Sequence, residues 1–297
     1  MSPDTRDKLL TLIQYFIPQH LLSRLVGWLA DTRIPFIKNA FIGQFAMRYQ
    51  VNMLEAQEEN PLAYENFNAF FTRALKEGAR PIDASPNGIA CPADGAISQL
   101  GDISGDVIFQ AKGHSYSLKE LLGGNSDRAR PFLNGKFATV YLSPKDYHRV
   151  HMPYTGTLRE MIHVPGDLFS VNTRTAQNVP RLFARNERVV AIFDTDIGPM
   201  AVVLVGAMIV ASIETVWAGV VAPASRAVHV TQYQQNATAP ITLEKGAELG
   251  RFRLGSTAIV CFGPGVTAWE SHFEEGSPTR MGELLGHKKT TRMESQP

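Results

Sequence analysis

The sequence has little of what marks a secreted or metal-binding scaffold. Only two of its 297 residues are cysteines, Cys91 and Cys261. Two are too few for a disulfide framework and fit a reducing compartment. Neither stands in a C-x-x-C or other ligand spacing, so both read as buried free thiols, and no metal is expected. Net charge is nearly absent as well. The 29 Lys and Arg and 28 Asp and Glu leave +1, too weak a field to gather nucleic acid. No apolar run reaches the roughly 20 residues that a bilayer span needs. The longest, Met200 to Ile213, contains Gly206 and Ser212, and its Val and Ile content predicts one long or two short core strands. An apolar stretch follows Asp4, Arg6, Asp7 and Lys8, but no small-residue cleavage site follows it, so a signal peptide is not expected. Repeats and low-complexity tracts are absent.

What is present is an ordinary core composition, 44% apolar and 19% charged, in a length that suits one large or two small domains. Residues 7–77 read as helical. Pro18 suits the first turn of a helix carrying Leu21, Leu22, Leu25, Val26, Trp28 and Leu29. A further segment runs from Phe36 to Tyr49, and another from Tyr64 to Lys76 puts Phe67, Phe70, Phe71 and Leu75 on one face. Such helices could pack on the main body or lie in a membrane surface, where Leu, Phe and Trp are at home.

From about Arg80 the texture changes to short strands and turns. Phe137–Leu142, Gly156–Val164, Val189–Asp194, Met200–Val205, Met208–Val216 and Ala258–Phe262 read as strands. Leu118 to Leu122 reads as a short helix with Ser117 as a possible N-cap, ended by Gly123-Gly124. The fold class expected is α+β, a helical N-terminal region followed by an antiparallel β-sandwich or partly closed barrel. The expected divisions are 1–78, helical and membrane-associating; 79–287, β-rich and catalytic; and 288–297, a polar tail.

Three stretches could carry chemistry. Leu254-Gly255-Ser256-Thr257 joins two predicted strands and, alone, is a tight turn with a hydroxyl after a glycine. Tyr141 to Pro153 holds His148 and His151, three apart, beside Tyr147 and Arg149. Histidine is the usual base near neutral pH. Cys91-Pro92-Ala93-Asp94-Gly95 holds a carboxylate in a pair that is most often a turn. On a strand, residues three apart point to opposite faces. His148-x-x-His151 with Asp94 would therefore need a turn or helix to hold zinc. A non-enzymatic β-sandwich carrier predicts one intact chain, and a serine peptidase predicts a persistent Ser256.

Together these stretches resemble one family. Lys245 to Phe262 resembles the self-cleavage segment of phosphatidylserine decarboxylases of the bacterial membrane-associated type. The histidine stretch and Pro-Ala-Asp-Gly match that family's motifs in order, and the resemblance covers about Phe67 to Gly286. It implies a proenzyme that cuts itself between Gly255 and Ser256, into a β chain of 1–255 and an α chain of 256–297 that remain paired as a heterodimer. A further homodimer stays open. The implied cofactor is a covalent pyruvoyl group made from Ser256. It would form a Schiff base with phosphatidylserine and release carbon dioxide, giving phosphatidylethanolamine. By motif position Asp94, His151 and Ser256 form the self-cleavage triad, and His148 serves decarboxylation as a proton donor. Val164 to Asn172 resembles a family loop near the active site. The implied location is peripheral, on the cytoplasmic face of the cell membrane, with no nucleic-acid partner.

Overall fold

A computed structural model of the chain describes residues 11–208, 212–222, 226–234, 239–253 and 256–289. Leu254 and Gly255, at the expected cleavage point, lie outside them, as do residues 209–211 of the strand expected over 208–216 and most of the expected polar tail.

The N-terminal region is helical where its sequence is periodic. Helix α1 (Gln19–Ala30) starts from Pro18, which stands as its N-cap rather than inside its first turn. Helix α2 (Pro35–Tyr49) has Pro35 at its first position and stops where Gln50 turns left-handed at φ 51°. The helix expected over 64–76 is only five residues long, α3 (Phe67–Phe71), with the Asn66 side chain accepting the Ala69 N–H. Tertiary pairing overrides helix propensity beyond it. Gln57 N–H donates to Ala74 O and Lys76 N–H to Glu55 O, both at 2.9 Å, so Leu75 runs extended beside Ala56. The three helices bury Ala30, Ile42, Phe67, Phe70 and Phe71 together, with Phe41 stacked on Phe67.

The rest of the described chain is mainly strand. In order these are β1 (Gly88–Ala90), β2 (Gly95–Asp102), β3 (Val107–Ala111), β4 (His114–Ser117), β5 (Lys136–Leu142) and β6 (Arg149–His151). Then come β7 (Gly156–Val164), β8 (Arg188–Thr195), β9 (Gly198–Val205), β10 (Ser212–Thr215), β11 (Gly219–Ala222) and β12 (His229–Gln232). The last are β13 (Thr242–Leu243), β14 (Glu248–Arg253), β15 (Ser256–Phe262), β16 (Thr267–Trp269), β17 (Pro278–Thr279) and β18 (Leu284–Lys288). The apolar run from Met200 is thus two strands. The short helix begins at Leu118, where the Ser117 hydroxyl accepts the Glu120 N–H at 3.1 Å.

The large sheet has nine strands, ordered β12-β7-β8-β9-β15-β5-β2-β17 with β13 alongside β7. A four-stranded sheet runs β11-β10-β14-β6, and a three-stranded one β1-β18-β16. The pairings are antiparallel, and none of these sheets closes into a barrel. Alternation explains the layering. Met200, Val202, Leu204, Ala258, Val260 and Phe262 face one core, shared with Val150, Ile213, Leu249 and Phe252 of the small sheet. Ala201, Val203, Val205, Ile259 and Cys261 face a second core under the short helices and the β3–β4 hairpin. Burial on both faces is why β9 and β15 read as unbroken apolar runs.

Candidate active site

The chain passes from the small sheet to the large one between Arg253, the end of β14, and Ser256, the start of β15. Ser256 sits opposite Leu142, the last residue of β5. Beyond β5, strand β2 begins at Gly95, where a Cβ would meet the Tyr141 carbonyl oxygen at 2.1 Å. Only glycine allows that approach, and it brings Asp94 to the same edge of the sheet as Ser256. Two interstrand spacings separate them, roughly 10 Å. The sequence reading of Asp94-Gly95 as a turn pair therefore misses its function, a close strand contact.

Ser256 shares its face with Ala258 and Val260, so its side chain points into the core between the sheets. It is fully buried, and its Oγ has no hydrogen-bond partner among the described residues. Leaving a buried hydroxyl unpaired costs about 1–3 kcal/mol. Buried hydroxyls without a partner among the described residues also occur at Thr139, Thr257 and Thr267, so what singles out Ser256 is its place at the crossing between the sheets.

The segment between β5 and β6 carries the histidines. Ser143 closes it by donating its N–H and hydroxyl to Asp146 Oδ2, both at 2.7 Å. His148 is fully buried on the core side with Val150 and Met152. Its Nε2–H donates to Ser143 O at 3.0 Å, and its ring stacks on Phe71 at 3.9 Å. That leaves Nδ1 as a lone pair without a partner among the described residues. Burial, helped by the Arg73 charge, pulls the ring down to about 3, so it is neutral near pH 7.

His151 points the other way, half-buried beside Arg149. The two rings fall on opposite faces, as three-residue spacing on a strand dictates. His151 donates Nδ1–H to Gly246 O at 2.8 Å, so Nε2 accepts from the Tyr147 hydroxyl at 3.1 Å. Burial lowers its pKa, while the Gly246 bond and the Glu248 and Asp94 charges oppose the shift. Burial pushes the Tyr147 phenol up to about 12, so it stays a donor. Among the described residues no three His, Cys, Asp or Glu side chains stand together to hold a metal.

Asp94 reaches the histidine segment through the backbone, because His151 N–H donates to Pro92 O at 2.8 Å. Its carboxylate, however, is not on the imidazole. It accepts from Arg80 Nε at 2.8 Å and Nη2 at 2.5 Å, and from Met281 N–H at 2.9 Å. Arg80 also holds Glu55 at 2.8 Å, and its own pKa is raised, chiefly by the Asp94 hydrogen bonds. Gly246 thus fixes the His151 tautomer, and Asp94, the expected third member of the triad, acts on His151 through charge and not through a hydrogen bond. Replacing Arg80 by Met strands Asp94 in a buried setting. The expected loss of stability is about 3–5 kcal/mol, read as a shift of the urea midpoint in an uncut Ser256→Ala background.

Sequence reasoning missed Arg80, Gly246 and Arg73. Arg73 braces the histidine segment by donating Nη2–H to Lys145 O at 3.2 Å, while Arg149 Nε–H donates to Thr72 O at 2.9 Å. The Arg73, Arg149 and Gly246 contacts span 72 to 95 residues and the Arg80–Asp94 contact 14, and none leaves a periodic trace. Also missed was a cavity of about 330 Å³ on the other side of β15. Its wall includes Arg253, the last described residue before the crossing, and Gly206. Gly206 follows Val205, which pairs with Thr257, and so stands beside Ser256. Helix α1 forms the opposite wall with His20, Arg24 and Trp28. The loop over 164–172 completes it with Leu168 and is tied to the helical region. Leu168 N–H donates to Gln19 Oε1 at 2.6 Å, Ser170 N–H to Gln14 Oε1 at 3.0 Å, and His20 Nε2–H to Gly166 O at 3.0 Å.

The site can now be set beside known proteins. A family profile described as phosphatidylserine decarboxylase matches residues 67–287. A second, described as PSD, matches residues 9–50. The chain is 64% identical over 282 residues to the phosphatidylserine decarboxylase proenzyme of Ectopseudomonas mendocina (strain ymp), covering 95% of this chain and 99% of that one. It is 62% identical over 291 residues to the proenzyme of the same name from Stutzerimonas stutzeri (strain A1501), covering 98% of each. With that of Pseudomonas aeruginosa (strain LESB58) it shares 65% over 284 residues, covering 96% of this chain and 98% of the relative. The order of the motifs, the corner that gathers them and matches of this length agree: the chain belongs to the phosphatidylserine decarboxylase family.

Proposed function

We propose that the chain is a proenzyme that cuts itself between Gly255 and Ser256 and then decarboxylates phosphatidylserine to phosphatidylethanolamine at a membrane surface. The observation that carries this reading is the Ser256 hydroxyl. It is buried, without a partner among the described residues, at the first residue of a central strand, and the neighbouring Gly206 lines a cavity.

Cleavage starts with attack of Ser256 Oγ on the Gly255 carbonyl carbon, and the amide becomes an ester as the Ser256 nitrogen leaves and takes a proton. Loss of the Ser256 Cα proton and breakage of the Oγ–Cβ bond free the Gly255 carboxylate. Water then replaces the nitrogen of the dehydroalanine, which departs as ammonia, leaving a pyruvoyl cap at position 256. His151 is the base for this half. Gly246 holds its Nδ1–H, so Nε2 is the lone pair, and Tyr147 on that lone pair is a relay toward the corner. Asp94, clamped by Arg80, stabilises the ring when it takes up a proton.

The Ser256 position suits the cap, being enclosed and one strand away from Gly206, which lines the cavity together with Arg253. The pyruvoyl ketone supplies an electron sink for the substrate carbon that loses its carboxylate. His148 serves this half. Its buried neutral ring keeps Nε2–H on Ser143 O and leaves Nδ1, without a partner among the described residues, as an acceptor that can take and return a proton. Its surroundings exclude water that would quench the reaction early. The test is the intact mass of the denatured protein together with carbon dioxide release from phosphatidylserine. Two chains meeting at 255/256, the smaller one blocked, with matching activity are expected. One full-length chain that remains active on the lipid would overturn the scheme.

The membrane side of the reading rests on the helical region. Among the described residues every large, exposed Leu, Ile, Trp and Met side chain lies before residue 63, Leu21, Leu25 and Trp28 among them, whereas beyond it the exposed large apolar side chains are Phe109 and several valines. Leu21, Leu25 and Trp28 fall on one stripe of α1. No described helix is long and apolar enough to cross a membrane. The attachment proposed is peripheral, through the exposed stripe of α1, and the family resemblance is what points to the cytoplasmic face. Leu25→Glu with Trp28→Glu is expected to lower binding to phospholipid vesicles at least tenfold in a flotation assay. Cleavage at 255/256 should remain complete.

A further inference from the structure

The cavity lined by Gly206 and Arg253 has a feature that the cleavage chemistry does not use. Its α1 wall presents one cation, Arg24, which makes no ion pair with any described residue. The charged groups around it are otherwise engaged. Glu187 accepts from His163 Nε2 at 2.9 Å, Asp31 accepts from Asn68 Nδ2 at 2.7 Å, and Arg253 pairs with Glu214 at 3.4 Å. His20 donates to Gly166 O. Arg24 therefore has no partner for its guanidinium donors among the described residues, at the edge of a cavity.

Its place on the helix matters as much as its charge. Gln19, Ser23, Gly27 and Ala30 are the buried face of α1, and Leu21, Leu25 and Trp28 its exposed apolar stripe. Arg24 lies between the two faces, at the seam where helix and sandwich part. One side of that seam leads to a surface suited to lipid, and the other leads to Gly206 and Arg253, which flank the crossing before Ser256. A cavity of about 330 Å³ is at the lower end for ligand sites, roughly 300–1,000 Å³. It has room for a polar head group and leaves acyl chains outside.

Resting on the decarboxylase reading above, we infer that Arg24 recognises the phosphodiester of the substrate lipid. Its guanidinium takes the phosphodiester oxygens at the mouth of this cavity while the serine end reaches inward to position 256. A planar fork of donors matches two phosphate oxygens, and charge-assisted bonds of this kind fix orientation as well as affinity. The helix that docks on the membrane then also registers the head group relative to the reacting carbon.

The test uses the purified full chain and its Arg24→Ala and Arg24→Lys variants, with short-chain phosphatidylserine as substrate. Intact mass comes first. Complete cleavage of all three separates this question from the maturation scheme, and failure of the parent chain to cut or to release carbon dioxide would count against that scheme instead. With cleavage complete, Arg24→Ala is expected to raise KM at least tenfold with kcat within about twofold, and Arg24→Lys to recover part of the loss. Glycerophosphoserine, which has the head group and no acyl chains, should inhibit the parent and lose at least tenfold in potency against Arg24→Ala. Unchanged KM, or equal inhibition of parent and variant by glycerophosphoserine, would overturn the inference. So would a KM rise matched by an equal loss of binding to neutral phosphatidylcholine vesicles, which would make Arg24 a membrane anchor only.

Discussion

The Ser256→Ala chain is expected to stay in one piece of full-length mass and to release no carbon dioxide from phosphatidylserine. No other single substitution should remove so much, because one oxygen atom is used in both halves of the scheme. Without Oγ there is no nucleophile for the Gly255 carbonyl, and without cleavage there is no pyruvoyl cap. The same variant should be at least as stable as the parent before cutting. It removes a hydroxyl that is buried without a partner, which relieves about 1–3 kcal/mol less the loss of a little packing. An inactive, intact and slightly more stable protein is thus the expected combination, read by mass, by carbon dioxide release and by the urea midpoint. Residual decarboxylation by Ser256→Ala would show that the carbonyl cofactor is not made from this residue.

The second large effect separates the two histidines. His148→Ala is expected to cut at 255/256 and to lose decarboxylation by at least a hundredfold, the usual scale for a positioned acid or base. His151→Ala is expected to remain largely uncut. The reason lies in their surroundings. The His151 ring has its Nδ1–H committed to Gly246 and its lone pair on Tyr147. It is half-buried and set among Asp94, Glu248 and Arg149, where a positive imidazole can be tolerated. The His148 ring is enclosed by Phe71, its pKa about 3, with no carboxylate on it. Remaining a cation is costly there, so a proton taken at Nδ1 is readily returned. Time courses of intact mass for both variants, followed by assays of whatever cut protein forms, decide it. An uncut His148→Ala chain alongside a cut His151→Ala chain would exchange the two roles.

Much of this was legible in the sequence, for identifiable reasons. Strands such as Gly156–Val164 and Ala258–Phe262 are buried on both faces or alternate cleanly, so their composition announces them. Ser117 and Gly123 bracket a short helix by local chemistry alone. The helix expected to reach Lys76 stops at Phe71 because residues 74–76 pair with 55–57, a tertiary contact that periodicity cannot register. The motif residues Asp94, His148, His151 and Ser256 could be picked out, and the corner that gathers three of their segments follows from strand order. Their wiring could not be read. Gly246 in the tautomer role, Arg80 on Asp94 and the seam at Arg24 depend on which backbone lies beside which. No local pattern records that, whether the partners are 14 residues apart, as Arg80 and Asp94 are, or 95, as His151 and Gly246 are.

The register of β15 has a consequence for the lifetime of the enzyme. The residue proposed to become the cofactor opens a strand laddered to β5 along Ser256–Phe262 and to β9 along Thr257–Phe262. An enzyme that borrows its cofactor can be emptied by dilution and refilled by supply. Here the reactive carbonyl would be the end of a strand inlaid between two neighbours, so it could leave only if the large sheet came apart. Exhaustion of the cofactor and denaturation would be a single event. Dialysis should cost no activity, and activity once lost to heat should not return on adding pyruvate.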